Sequence, residues 1–391
     1  MPSLLAITAA RLLTPLACIK HPVVLMENGV LRAVGARESL AIPSAAEHRD
    51  FPESTLLPAL LDLHIHGGMG CDLMRFEPAQ LAGFERHLMA HGVAAYLPTT
   101  VTGSQDATLR ALDQLASAIE AAETADPETA AGGRARPLGI HLEGPFLSPE
   151  KRGVHPPQLL QPPRLETWNS YWQAARGRIR MLTIAPELPQ AEALIAAAAA
   201  CGVLVSLGHS NALAAAALRG IQAGARHATH TFNAMRPLDH REPGIAGVVL
   251  DDDRLSADLI ADGLHVDAAM IRLFLHAKGE ERAVLITDAI SATGLCDGVY
   301  PLGELQVTVQ AGRCDWQGSL AGSVLHLDQA VRNIMKFAGW DLARAWRLAS
   351  LNPARALGIQ RGELRPGFPA ELCVVSPAAK IIAALGGWRG R

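Results

Sequence analysis

Six side chains able to ligate a metal fall at what read as strand ends. They are His64 and His66 in ALLDLHIH, Glu143 in PLGIHLE, His209 in GVLVSLGHS, His230 in HATHTF and Asp288 in AVLITDA. Imidazole nitrogens mixed with carboxylate oxygens suit a divalent ion, zinc first, with iron, manganese or cobalt accepting the same donors. Side chains alternate along a strand, so His64 and His66 face the same side. Each residue alone has a plain structural alternative. The HxH could be a core pair, Glu143 a surface carboxylate, His209 a neighbour of a helix end, His230 a packed histidine and Asp288 a cap. Burying that many unpartnered polar groups would be costly, so their joint placement favours one metal centre over a set of accidents. His155 in KRGVHPP and His265 in DGLHV lie in loops after the third and seventh strands. They are candidates to hold substrate hydroxyls, or else exposed loop histidines. Arg241 in HREPG, after the sixth strand, suits an anionic group such as phosphate, or else is solvated.

The elements that must position these residues alternate between strands and helices. Strand candidates are 59–66, 94–101, 137–143, 179–186, 202–210, 227–232, 256–263 and 283–289, with helical segments between most of them, such as 212–224 and 266–278. Eight such units predict an α/β fold, a (β/α)8 TIM-like barrel, with the polar residues at the end where barrel active sites lie. A doubly wound sheet is the alternative, but the GGMG at 67–70 lacks the GxGxxG spacing of a phosphate loop. Residues 300–322 read as a hairpin inserted after the eighth strand. Both chain ends are strand-rich: LLAITAARLL and PVVLMENGVLRAVG, then an irregular stretch to FPESTLLPAL, and later GELRPGFPAELCVVS. They predict a small β-sandwich domain built from residues 1–55 and 357–391 around a barrel of residues 56–356. The terminal AAKIIAALGGWRGR has no evident pairing.

Composition narrows the function classes. Of 391 residues, 49% are hydrophobic and 19% charged, which excludes a disordered chain. The net charge is −3 and no basic block stands out, so no nucleic-acid partner is expected. Six cysteines without a CxxC pair read as free thiols of a reducing compartment. The apolar start has no charged n-region, and the longest apolar run, from Leu194 to Leu207, is shorter than the ~18 residues of a membrane span. A soluble cytoplasmic protein with no membrane partner is expected.

LLPALLDLHIHGG, HLEGPFLSPEKRGVHPP, SLGHSNA, THTFNAMRPLDHREPG, ADGLHV, ITDAISATG and LAGS together resemble the N-acetylglucosamine-6-phosphate deacetylases of the amidohydrolase superfamily. The match runs in order from about residue 56 to 358. The resemblance implies that Glu143, His209 and His230 are metal ligands. It implies that His64 and His66, with Asp288 beside them, support a second ion, giving one or two ions per subunit. Asp288 matches the catalytic acid/base. Val154, His155, Asn233, Ala234, Arg241, the Asp262-Gly263-Leu264-His265 segment and Leu320-Ala321-Gly322 match substrate-contacting positions. A homodimer is implied, with Arg241 reaching the neighbouring subunit's site. Some relatives bridge their ions with a carboxylated lysine at the fourth strand. Here that strand ends in TIAPE and no lysine lies between Lys151 and Lys278, so the bridge falls to Glu143.

The expected reaction is hydrolysis of the acetamide of N-acetyl-D-glucosamine 6-phosphate to D-glucosamine 6-phosphate and acetate. A metal-bound water is the nucleophile and Asp288 moves the proton. The alternatives are a related amidohydrolase acting on another N-acyl amino-sugar phosphate, and a non-catalytic binding barrel.

Overall fold

The computed structural model describes residues 4–124 and 133–386. Eight parallel strands run through it: Leu60–Ile65, Val93–Pro98, Ile140–Glu143, Ile179–Ile184, Leu204–Leu207, His227–Ala228, Ser256–Ile260 and Ala283–Ile286. Nearly every residue in them is buried, as expected for strands covered on both faces by helices. The last six form one curled, open sheet in chain order, and the first two form a second sheet with Arg136–Pro137. Single parallel bridges join the two sheets at both seams, Thr99 to His141 and Ile65 to Ala289. The break between Arg136–Pro137 and Ile140–Glu143 falls at Gly139, where a Cβ would lie 2.0 Å from Arg180 Cγ.

Helices lie between most strands, including Pro78–Ala90, Gln105–Thr124, Leu165–Ala174, Ala191–Ala200, Ala214–Ala223, Gly244–Asp251, Ala268–Arg282 and Leu327–Ala338. Their starts are written locally. Pro78 occupies the first position of its helix and the Glu77 N–H donates to Gln80 Oε1 at 2.8 Å. Asp267 accepts from the Ala269 N–H at 2.7 Å, an N-cap of ordinary chemistry. Leu, Ile, Val and Ala from helices and strands merge into one continuous core around the parallel strands. No helix among the described residues is long and apolar enough to cross a membrane.

Both chain ends meet in a separate seven-stranded mixed sheet. Its hairpin Pro22–Glu27 to Val30–Ala36 turns at Asn28 and Gly29, with φ of 52° and 74°, the two positive values that a tight hairpin turn needs. The stretch ahead of FPESTLLPAL is irregular over residues 37–46, and its last four residues open the strand Glu47–Pro58, parallel to Leu4–Thr14. The register skips between Ala9–Phe51 and Arg11–Thr55, so Pro52 sits in a bulge where its missing N–H costs no ladder bond. The tail without an evident partner supplies Ile381–Leu385, antiparallel to Leu372–Val375. Residues 1–3 and 387–391 of the two ends lie outside the described residues. The hairpin expected over 300–322 is a four-stranded antiparallel sheet: Gly298–Leu302, Leu305–Gln310, Arg313–Trp316 and Ser319–Leu320.

Candidate metal centre and active site

Three of the ligating side chains leave their strands at strained corners. His209, His230 and Asp288 have φ of 46°, 31° and 50°, the left-handed region that non-glycine residues avoid at a cost of roughly 1–3 kcal/mol each. The sixth strand, expected over 227–232, ends at Ala228 for this reason. The chain turns at His230, whose N–H is held by the buried Asp258 carboxylate. Asp258 also accepts from His227 Nε2 at 3.1 Å. Asp62 fastens the first strand to the eighth: it accepts from the His64 N–H at 3.2 Å and from the Thr287 hydroxyl at 2.7 Å. The Asp288 N–H in turn donates to the His64 carbonyl at 2.9 Å.

Glu143 stands at the centre. Its Oε1 lies 3.2 Å from both His209 Nε2 and His230 Nε2. Its Oε2 lies 3.4 Å from His64 Nε2 and 3.3 Å from His66 Nε2. Asp288 Oδ1 completes the second group, 3.5 Å from His64 Nε2 and 3.1 Å from His66 Nε2. His209 and His230 turn their Nε2 atoms to each other at 3.0 Å, and His64 and His66 do so at 3.2 Å. Nitrogens crowded this closely around a shared carboxylate make two adjacent groups that could each hold a cation. The same geometry groups His64 with His66 and Asp288, and Glu143 with His155 and His209.

The atoms behind the rings sort the histidines. His66 Nδ1 lies 3.2 Å from the Thr99 carbonyl and His209 Nδ1 lies 3.0 Å from the Lys151 carbonyl. A carbonyl only accepts, so these Nδ1 atoms carry the proton and Nε2 is left with the lone pair a metal needs. His155 is built the opposite way. Its Nδ1 accepts the Thr102 backbone N–H at 3.2 Å, and the Thr102 hydroxyl lies at 2.7 Å. The proton of His155 therefore sits on Nε2, 3.6 Å from Glu143 Oε2. His155 is a hydrogen-bond donor into the site, not a third nitrogen for the ion. His265 Nδ1 donates to Asp262 Oδ2 at 2.7 Å, so its Nε2 is free to accept.

Electrostatics agree with this division. Burial raises the Glu143 carboxyl, but the charge of His64 and hydrogen bonds from His155, His209 and His230 hold it well below its ordinary range. Burial likewise opposes Asp288, yet His64 and His66 keep it ionised. Burial is outweighed at His66, where Asp288 and Glu143 lift the imidazole to about 10, and at His230, where Glu143 lifts it to about 9. Burial prevails at His209, which falls to about 4. Two carboxylates thus hold two protons where cations would sit.

A cavity of about 140 Å³ opens onto this centre. Of the expected site residues, His66, Glu143, Val154, His155, His209, His230, Asn233, Ala234, His265, Asp288, Leu320 and Gly322 line it. His64 is fully buried behind it. Asp262 acts through His265, and Ala321 is buried. Gly263, Leu264 and Arg241 are not brought to the cavity, and Leu264 is 51% exposed. The sequence reading missed the lining residues Val101, Gly153 and Leu302. It also missed the orienting atoms of Thr99, Thr102 and Lys151. Gly153 lay within the same loop motif as His155, but a backbone carbonyl leaves no signature in sequence. A larger groove of about 580 Å³ lies elsewhere, lined by Phe76, Leu81, Gln114 and Arg134. Its one acid among the described residues, Glu85, is already bonded to Arg134 and Tyr96.

Comparison with known proteins places this geometry. The model of the amidohydrolase family matches residues 55–388. The N-acetylglucosamine-6-phosphate deacetylase of Bacillus subtilis is 35% identical over 371 residues, covering 94% of this chain and 92% of its own. The N-acetylgalactosamine-6-phosphate deacetylase of Escherichia coli O157:H7 is 36% identical over 367 residues, covering 93% of each. A structure of N-acetyl-D-glucosamine-6-phosphate deacetylase from Mycobacterium smegmatis, a mutant in complex with N-acetyl-D-glucosamine-6-phosphate, superposes with a TM-score of 0.89 at 34% identity, covering 100% of both chains.

Proposed function

The chain belongs to the amidohydrolase family, and on that premise we propose that it hydrolyses the acetamide of N-acetyl-D-glucosamine 6-phosphate to D-glucosamine 6-phosphate and acetate. The observation that carries this reading is Glu143, with one carboxylate oxygen facing the His209–His230 pair and the other facing His64 and His66. Divalent ions, zinc by donor type, would be held there by His209 and His230 on one side and His64, His66 and Asp288 on the other, with Glu143 offering an oxygen to each group. The two parallel sheets, bridged at both seams, are read as one closed eight-stranded barrel. The chain-end sheet, with apolar clusters on its faces, is read as a small sandwich domain. Residues 1–55 and 357–391 form that domain, and residues 56–356 form the barrel.

When bound, the divalent ions supply an acidified water and polarise the acetamide carbonyl. The chain's own residues do the rest. Asp288, held ionised, accepts the proton released as the nucleophile attacks and returns it to the leaving amine, which departs poorly without it. His155 Nε2–H donates a hydrogen bond to the oxygen that gains charge. The cavity walls at Val101, Val154, Leu302 and Leu320 leave little room for bulk water. His265, fixed by Asp262, accepts from a sugar hydroxyl, while Asn233, Ala234 and Gly322 hold the rest of the sugar phosphate. Arg241 lies on an exposed loop outside this cavity, and we assign it to the phosphate of a neighbouring subunit's site in a homodimer. A phosphorylated sugar is a substrate met inside cells, which supports a cytoplasmic placement.

The E. coli relative favours a second substrate, the galacto epimer, at 36% identity against 35% for the Bacillus relative. Acetate release from both epimers, with and without chelator, on protein of measured metal content tests both readings. Release from the gluco substrate that chelator abolishes is the expected result. Faster release from the galacto substrate transfers the assignment to that epimer, and no release from either with metal bound discards both.

A further inference from the structure

A second group of histidines lies outside the barrel, away from the chemistry just described. His87 is in the last turn of the helix Pro78–Ala90, and His91 caps its C-terminus one turn later, donating its N–H to the His87 carbonyl at 3.2 Å. His326 precedes the first residue of the helix Leu327–Ala338. One ring nitrogen from each of the three lies within 4.8 Å of the other two, and all three side chains are half-buried. The His87 and His326 Nε2 atoms are 2.8 Å apart.

The surroundings of these rings are those of a ligand set. His91 Nδ1 donates to Asp328 Oδ1 at 3.1 Å, and Asp328 is itself held by Arg332 Nη1 at 2.7 Å. A carboxylate behind Nδ1 leaves the lone pair of His91 on Nε2, the arrangement found behind metal-bound imidazoles. Gly294 packs against His87 so closely that a Cβ there would fall 2.8 Å from its Nε2, which limits the ring's motion. Burial and the neighbouring imidazoles depress His87, and they depress His326 to about 4, so at neutral pH both are uncharged; one Nε2 donates to the other across the 2.8 Å contact, and that proton must shift to Nδ1 before both can ligate. His91 and His326 are stacked at 3.8 Å, and a shared ion needs nitrogens about 3.3 Å apart at tetrahedral Zn–N distances. Binding therefore requires the His326 ring to swing out of the stack and open the 2.8 Å contact by about half an ångström.

We propose that His87, His91 and His326 form a separate binding site for one imidazole-seeking divalent ion, of which zinc is the representative. The bound ion pins the first barrel helix to the last at the seam between the first and eighth strands. Its role is structural, and it does not depend on the deacetylase reading.

The test counts zinc bound per full-length chain at equilibrium with a chromophoric competitor, in wild type and in the double variant His87→Ala/His326→Ala. The expected result is one equivalent fewer in the variant, with acetate release within about twofold of wild type. Zinc should also raise the unfolding temperature of the wild type by several degrees more than that of the variant. If the double variant does not fold, His91→Gln and His326→Gln singly give the same reading, each weakening that one equivalent at least tenfold. Equal stoichiometry and affinity in wild type and variants overturns the site. Loss of zinc together with loss of activity also overturns it, because the missing ion would then be the catalytic one.

Discussion

One neighbouring atom decides what His66, His155 and His209 do in the cavity. His66 and His209 back onto carbonyls, which leaves Nε2 as the nitrogen a metal would take; His155 backs onto the Thr102 N–H and points a proton inward. His155→Asn should therefore keep the bound metal and lose about 10²–10³ in kcat, the cost of one donor to a developing oxyanion. Metal analysis beside steady-state kinetics checks this, and a variant stripped of metal would make His155 a ligand after all. Asp288→Asn should lose about 10²–10⁴ in kcat while the ion at His209 and His230 stays. Near-normal turnover would end its acid/base assignment. The ion-free site holds protons on His66 and His230, lifted to about 10 and about 9. Metal uptake at pH 7.5 should thus expel about two protons, and affinity should fall as pH falls. Calorimetry in two buffers of different ionisation enthalpy measures that number, and a value near zero would contradict the two protonated imidazoles. At this scale the ligand types were legible, because HIH, HLEG, GHS and ITDA fix them by identity. Their proton positions were not, since Thr99, Thr102 and Lys151 meet the rings only after distant strands come together.

Elements carried a different share of the information. The eight strands could be read because long apolar runs bounded by turns repeat with helices between them. The sixth was overextended, since HATHTF keeps a strand-like pattern through residues that turn at His230 to reach the site. Glu47–Pro58 was read as partly irregular because EHRD is polar and Pro52 breaks the pattern, while pairing to Leu4–Thr14 decides the outcome. The helix seam at His87, His91 and His326 left no clear mark, because its third member lies far along the chain from the HLMAH pair at 87–91. That seam has a pH consequence in metal-free protein. Burial and adjacent imidazoles put His326 at about 4, below its ordinary value. A histidine depressed on folding adds stability that is present above pH 6.5 and lost as pH falls from there towards 4. His91, Asp328 and Arg332 face the same ring cluster, and the acid partly offsets the loss. Wild type should lose about 1–3 kcal/mol more between pH 7.5 and 5 than His326→Gln. Urea unfolding of both at the two pH values checks this, and parallel losses would show that the seam does not sense acid.

At the scale of the whole molecule, the cavity of one chain has no arginine or lysine among its described lining residues. Asn233 and His265 reach the cavity, yet the arginine suited to a phosphate, Arg241, stands on an exposed loop and does not line it. Its N–H only closes a local turn on Asp239 at 2.9 Å. If the loop serves a neighbouring chain, two defective variants should repair one another. Arg241→Ala alone should raise KM for the phosphorylated sugar at least tenfold, with little change for the unphosphorylated one, since a charge-assisted contact to phosphate is worth about 1.5–3 kcal/mol. Asp288→Asn alone should lack turnover. In a mixed dimer, the site with an intact Asp288 belongs to the Arg241→Ala chain and borrows its arginine from the Asp288→Asn chain, so that site is whole. The other site lacks both residues and contributes nothing. Unfolding and refolding the two variants together should therefore recover low-KM activity in a fraction of sites approaching one quarter. Refolding each alone should recover none. Activity that keeps the high KM at every mixing ratio would show that Arg241 works within its own chain or not at all, and the phosphate would then need another cation.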